Sequence, residues 1–367
     1  MAEIFTPWQI NQLTIPNRLL RSATWEGTAL DDGTPTENTA NITAELAEGG
    51  VGLIITGYAF VLPWGKGLPH QTGAHIDAMV GPLTRISDAV HKSGGLVAMQ
   101  IVHAGGQTKE EWIGQQPIGP SAMVHPAFKE QIAGLSKEQI FDIIEAFALA
   151  AARVKAAGFD AVQLHGAHGY LINQFLSPDI NQRSDEYGGS LENRARFGYQ
   201  VYQAVRDMVG PGYPVFIKLN SDDCVEGGLT LADAVEVSKQ LSQMGMDAIE
   251  VSGGVPYAGK LSASARVVRE PEEEGYFYDN AKAIKAVVSC PVISVGGWRS
   301  RPRIEQALEG VDAVALSRPF IRQPHLARHW QDGGQEAATC ISCRQCFDVA
   351  MKQGLACKQE MKDEDSD

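Results

Sequence analysis

Two histidines three residues apart, His165 and His168, stand in the run His165-Gly166-Ala167-His168-Gly169-Tyr170. Each imidazole, neutral or protonated, offers an N–H donor. On a tight glycine-containing turn both can aim at one oxygen and stabilise negative charge that develops there. Tyr170 adds a phenolic proton on the same turn. A His-x-x-His pair can also ligate zinc, but the spacing supplies no evident third ligand. One histidine alone would read as a strand cap or a packed side chain, whereas the three groups together favour a reaction centre.

A second group lies near the C-terminus, where Cys340, Cys343, Cys346 and Cys357 read Cys-x2-Cys-x2-Cys-x10-Cys. Thiolates at this spacing can wrap a [4Fe–4S] cubane or hold zinc, and free thiols remain a third reading. Such bunching in a long chain differs from the dispersed cysteines of a small disulfide-framed protein. Cys224 and Cys290 stand apart and read as buried, apolar-like residues.

These groups need a scaffold, and the chain supplies one in eight short apolar runs. They are Asn17–Thr24, Val51–Gly57, Gly95–His103, Ala161–Gly166, Pro214–Asn220, Ala248–Gly253, Pro291–Gly297 and Asp312–Arg318. Continuous apolar character is what a parallel strand covered on both faces requires. Helical patterns separate the runs. Ser136 to Gln139 spells a capping box, and Ile140, Ile143, Ile144, Phe147 and Ala151 follow on one face. Gly158 suits the left-handed end of that helix, and Thr230 to Asp233 starts another. Eight β-then-α units predict a single α/β (β/α)8 TIM barrel with the His turn at the C-terminal end of its fourth strand, where barrel sites are built. A doubly wound open sheet is the alternative. The barrel is expected over residues 1–335, with a short Cys-rich C-terminal segment over 336–367. Its tail from Lys358 to Asp367 reads as acidic and disordered. Two stretches exceed ordinary loop length, Ala104–Leu135 and Ser177–Ser190, and both are candidate binding loops.

Bulk properties narrow the function. A formal charge of −13 disfavours a nucleic-acid backbone or an anionic membrane as partner. No apolar stretch is long enough to span a bilayer, and the N-terminus lacks a signal core, so a cytoplasmic enzyme of small molecules is expected. A homo-oligomer and a separate redox partner protein both stay open.

The His turn continues as Leu171-Ile172-Asn173-Gln174-Phe175-Leu176-Ser177-Pro178 and then Asn181 to Ser190. With Phe5-Thr6-Pro7, Leu13, Asn17-Arg18 and Gln100 to Gly105, this run resembles the Old Yellow Enzyme, or NADH:flavin oxidoreductase, family. The resemblance runs in order from residue 4 to about 330. It is strongest for the branch with 2,4-dienoyl-CoA reductase and trimethylamine dehydrogenase, where a cysteine group also follows the barrel. It implies a non-covalent FMN across the barrel mouth, NAD(P)H as co-substrate and an activated alkene as acceptor. An amine dehydrogenase or an electron-transfer subunit is the rival reading.

The resemblance also implies roles. His165 and His168 would hold a substrate carbonyl, His165 also lying at the flavin, and Tyr170 would supply a proton. Ser22, Ala23, Thr24, Gly57 and Tyr58 would meet the isoalloxazine edge. Gln100 would bond its pyrimidine side, and Lys218 would place a cation near N1 and O2. Gly296, Gly297, Ser317 and Arg318 would take the phosphate. Trp25 and Gly106-Gln107 depart from the family pattern, which puts the flavin's tuning and the pocket's substrate in question.

Overall fold

The computed structural model describes residues 3–364, with side chains through Met361. Its eight parallel strands close on themselves, so the barrel stands and the open sheet falls. In chain order they are Leu19–Arg21, Leu53–Phe60, Val97–Val102, Ala161–Gly166, Val215–Asn220, Ile249–Ser252, Val292–Val295 and Ala313–Leu316. Each pairs with its successor, and the eighth returns to the first through Val314, Ala315 and Leu316 opposite Leu19, Leu20 and Arg21.

Every expected run holds one of these strands, most trimmed at the ends because flanking residues turn into loops. The second strand differs. It runs on to Phe60, with a register shift between Thr56 and Ala59 that carries Gly57 and Tyr58 inside the strand. Such an irregularity re-aims side chains beside a site.

The capping box is present, with Gln139 N–H donating to Ser136 Oγ and Ser136 N–H to Gln139 Oε1. It starts the Lys137–Ala156 helix, whose Ile140, Ile143, Phe147 and Ala151 are buried. The chain leaves it through Gly158 at φ 82°, a left-handed position that costs glycine little. Thr230 caps the Leu231–Gln243 helix with one bond, its Oγ1 accepting from Asp233 N–H.

The floor of the barrel was not foreseen. A hairpin of Trp8–Ile10 and Leu13–Ile15 packs Trp8, Ile10 and Ile15 against Leu20, Leu53, Ala98, Ala161, Phe216 and Ile293. Apolar closure at that end leaves only the opposite mouth for a ligand.

Loops at the mouth depart from expectation in three ways. The Ala104–Leu135 stretch is itself ordered, with a helix at Glu110–Ile113 and a small sheet of Ile118–Gly119, Met123–Val124 and Gln131–Gly134. Ser177–Ser190 braces that loop and does not line the cavity: Arg183 donates to Pro120 O and Leu135 O while paired with Asp185. A third long loop, residues 253–277, escaped the sequence reading.

The C-terminal segment folds back over the mouth. Ala338 N–H donates to Arg299 O, and Leu355 N–H to Glu26 O. Helices form at Gln345–Gln353 and Lys358–Glu364, which corrects the expected disorder from Lys358 onward. Residues 365–367 lie outside the described residues. Of the two outlying cysteines, Cys290 is buried as expected, whereas Cys224 is half-buried at φ 60°.

Candidate active site

The fourth strand ends at Gly166 and delivers the chain into a turn with His168 at φ 59° and Gly169 at φ 80°. Backbone donors there are fixed by side chains. His168 N–H donates to Asn220 Oδ1 at 3.1 Å and Gly169 N–H to Asn173 Oδ1 at 2.7 Å. Both amides in turn donate to the buried Asp223 carboxyl. A left-handed histidine is uncommon, and this hydrogen-bonded frame is what holds it.

His165, His168 and Tyr170 are thereby brought together at one cavity of about 720 Å³ in the barrel mouth. The two imidazole centroids lie 5.3 Å apart at 90°. Tyr170 Oη donates to Tyr58 Oη at 2.9 Å, and His168 Nε2 bonds Ser252 Oγ at 2.7 Å. Burial first, then the neighbouring His168 and Lys218, holds His165 well below the usual imidazole range. Burial and then Lys218 lower His168 to about 3. Both rings are neutral at physiological pH, which removes the imidazolium option that the sequence left open. Burial also raises the Tyr170 phenol, so its proton stays on the oxygen.

Beneath the cavity, polar side chains cross the barrel interior. Gln100 donates to Gln163 at 2.6 Å, Gln163 to Glu250 at 2.7 Å, Ser22 to Glu250 at 2.7 Å, and Lys218 to Ser22 at 2.8 Å. Lys218 Nζ stands 3.3 Å from Glu250 Oε1, with both side chains at most 2% exposed. Burial lowers the Lys218 pKa, and Glu250 opposes that shift. Strand register sets these neighbours side by side: Lys218 faces Glu250 on one flank and His165 on the other, and Gln100 faces Gln163.

Ser22, Ala23, Thr24, Tyr58, Lys218, Gly296, Gly297, Ser317 and Arg318 also line the cavity. Gly57 and Gln100 do not. Gly57 N–H donates to Glu26 at 2.8 Å, and Gln100 lies a layer below. Among the described residues, four buried polar atoms on lining side chains have no partner: Trp25 Nε1, Gln107 Oε1, His165 Nδ1 and Arg299 Nε. Groups of this kind call for a polar ligand.

Sequence reasoning missed several contributors. Glu250 and Ser252 lie in the sixth apolar run, where a glutamate inside a buried strand was the available signal. Gln107 donates to His168 O at 3.0 Å from a position noted only as a departure. The loop 253–277 gives Lys260, Tyr276 and Phe277 to the wall, and the C-terminal segment gives Arg344, Phe347 and Leu355. Phe347 sits 5.4 Å from the Trp25 ring.

The four C-terminal cysteines border one small void of about 20 Å³ beside Arg318. Cys340 and Cys346 line the large cavity as well. Among the described residues no group of three or more His, Cys, Asp or Glu side chains is arranged to hold a metal ion. The thiols converge without forming a coordination set.

Comparisons with known proteins agree with this geometry. The model of the NADH:flavin oxidoreductase / NADH oxidase family matches residues 3–336. A NADH oxidase of Thermoanaerobacter brockii is 36% identical over 347 residues, 93% of this chain and 52% of that one. The solved structure of 2-naphthoyl-CoA reductase with 2-naphthoyl-CoA superposes with a TM-score of 0.91 at 26% identity, covering 98% of this chain and 56% of the other. An old yellow enzyme homologue from Zymomonas mobilis gives 0.79 at 26% identity, covering 93% and 96%. The chain spans about half the length of the first two relatives.

Two predictions follow from the buried charges. Glu250→Met alone leaves Lys218 without its counter-charge and should lower the unfolding free energy by about 3–5 kcal/mol. Adding Lys218→Met should restore much of that loss; strictly additive losses in urea denaturation would show that the two side chains are independent.

Burial pushes the Glu26 carboxyl up to about 7, against the Gly57 N–H bond and the Arg21 charge. It binds its proton more tightly folded than unfolded, so its contribution is full below the unfolded carboxylate range and declines as pH rises through about 7. Glu26→Gln keeps the acceptor for Gly57 and should raise the thermal midpoint above wild type at about pH 8, with the two proteins converging near about pH 4. Parallel pH profiles would assign the decline to other groups.

Proposed function

Because the chain belongs to the NADH:flavin oxidoreductase / NADH oxidase family, we propose that it is an FMN-dependent enzyme that uses NAD(P)H to reduce an activated alkene, the carbon–carbon double bond of an α,β-unsaturated carbonyl compound. The observation that carries this reading is the turn that aims two neutral imidazoles and a protonated phenol into one cavity.

The residues present fit FMN. Ser22, Ala23, Thr24, Tyr58, His165 and Lys218 would hold the ring. Gly296 and Gly297, both at positive φ, would hold the phosphate with Ser317 and Arg318. The partnerless Arg299 Nε beside them supports a phosphate there. FMN, when bound, supplies reversible two-electron chemistry.

The chain's own contribution is electrostatic and protonic. A neutral imidazole donates a hydrogen bond to a carbonyl oxygen and strengthens it as negative charge develops, without surrendering its proton. In the tautomer in which the Ser252 hydroxyl donates to His168 Nε2, the ring proton lies on Nδ1, free of any protein partner among the described residues. Tyr170 Oη holds a proton for the α-carbon, and that proton must turn out of its bond to Tyr58 Oη to be delivered. Lys218 would offer positive charge at the flavin edge, with Glu250 3.3 Å away opposing the burial that lowers the lysine's pKa. Leu68, Phe128 and Phe347 give the cavity wall apolar surface.

The cysteines favour a second reading, in which electrons pass to a partner or arrive from an amine, since Cys340 and Cys346 reach the cavity wall. Four thiolates suit iron–sulfur or zinc by donor chemistry. Their arrangement here is not a closed coordination set, and no step is assigned to a metal.

His168→Ala should slow reduction of a simple enone by about 10²–10³-fold per bound flavin, with bleaching of the flavin by NADPH retained. A variant that turns over at the wild-type rate would remove the turn from the chemistry. Cys343→Ser, whose side chain borders only the small void, should release any bound iron or zinc while FMN occupancy and enone reduction persist. Loss of turnover in a folded, flavin-loaded C343S protein would favour the electron-transfer reading.

A further inference from the structure

The walls of the large cavity carry one sign of charge. No Asp or Glu lines it among the described residues, whereas Lys218, Lys260, Arg299, Arg318 and Arg344 do. The chain as a whole holds 44 acidic and 31 basic residues, so this is not a reflection of composition. Elsewhere arginines sit against carboxylates, as Arg153, Arg183, Arg194 and Arg206 do. Lys218 is paired with Glu250. The other four cavity cations form no ion pair among the described residues. Uncompensated cations on low-dielectric walls focus a positive potential into a cleft and draw anions to it.

One FMN phosphate accounts for two of them. Arg299 and Arg318 follow the seventh and eighth strands, beside Gly296, Gly297 and Ser317. Lys260 and Arg344 are left over, and neither side chain makes a hydrogen bond among the described residues. Lys260 lies on the Pro256–Leu261 turn. Pro256 opens that turn, and its Cδ would stand 3.2 Å from a Cβ placed on Gly169, so the turn packs on the catalytic loop. Arg344 comes from the C-terminal segment. It holds φ 63° and precedes the helix that sets Phe347 on Trp25. A left-handed arginine costs backbone energy that glycine would avoid, and such positions persist where the surroundings enforce them.

We propose that Lys260 and Arg344 receive an anionic group on the substrate, so that the enzyme selects acidic activated alkenes, those carrying a carboxylate or phosphate, over neutral ones. The proposal rests on the alkene reading for its chemistry, but the charge preference is measurable by binding alone. Lys260 and Arg344 are exposed residues on two separate elements that line the same cavity, and neither has a counter-charge among the described residues. The rival use of the pair, holding the phosphates of NAD(P)H, predicts a different pattern.

The test uses the FMN-loaded protein and two probes of matched shape: cyclohexenone, and the cyclohexenone that carries a carboxylate on its β-carbon. Dissociation constants are read from the flavin absorbance change without reductant, and turnover is read separately with NADPH. Wild type should bind the acidic probe about tenfold or more tightly than the neutral one, as for charge-assisted hydrogen bonds. That preference should weaken with added salt. Lys260→Met and Arg344→Gly should each reduce it while leaving the neutral probe's affinity unchanged. Glycine suits the left-handed position, and Lys260 lies outside the cysteine segment, so a folding defect in one variant does not affect the other. Equal affinity for both probes in wild type would overturn the proposal, as would a preference that survives both substitutions. So would variants that weaken NADPH binding but keep the preference, since the pair would then serve the dinucleotide. Tight binding of the acidic probe without its reduction would sink the alkene reading and leave the anion preference standing. Reduction of both probes with no preference would do the reverse.

Discussion

The ion pair of Lys218 and Glu250 inside the barrel is the interaction on which the rest of the structure depends. An ammonium and a carboxylate 3.3 Å apart, almost fully removed from water, are tolerable only if their remaining hydrogen-bonding capacity is met. Ser22 meets it from the first strand and Gln163 from the fourth, with Gln100 behind it on the third. Five strands are thus tied across the interior by polar groups, in a barrel whose floor is apolar and closed by the N-terminal hairpin. The pair also orders the site. Lys218 lies beside His165 in register, and its charge, added to burial, keeps both imidazoles neutral.

Neutral donors in a partly apolar cavity make a particular kind of site. They cannot act as acids near neutral pH, so in the proposed reaction stabilisation of charge would fall to hydrogen bonding and proton supply to Tyr170. This division depends on the frame under the turn, where Asn173, Asn220 and Asp223 fix the backbone at a left-handed histidine.

Much of this was legible in the sequence because it is local. The eight apolar runs follow from strands buried on both faces, and the His165–Tyr170 turn from six consecutive residues. The capping box at Ser136 is four residues long. What was not legible depends on long-range closure. Glu250 could be seen as an anomaly in its strand, but its pairing with Lys218 comes only from barrel register. The loop 253–277 carries glycines and prolines near both ends, but its composition gives no sign of which side chains face inward. Lys358–Glu364 reads as a polar tail by composition, yet it is helical beside a packed segment whose Phe347 and Leu355 reach the mouth. Composition cannot report that kind of tertiary support.

The account's central claim is that the barrel mouth is an FMN site, with one phosphate position formed by the glycines and arginines after strands seven and eight. The most direct measurement is to denature the purified protein and identify the released chromophore by its absorbance and mass. FMN, released without a covalent link and in equal amount to the chain, is the predicted result. FAD, a flavin that stays attached to the chain, or a protein that takes up no flavin when FMN is supplied would contradict it.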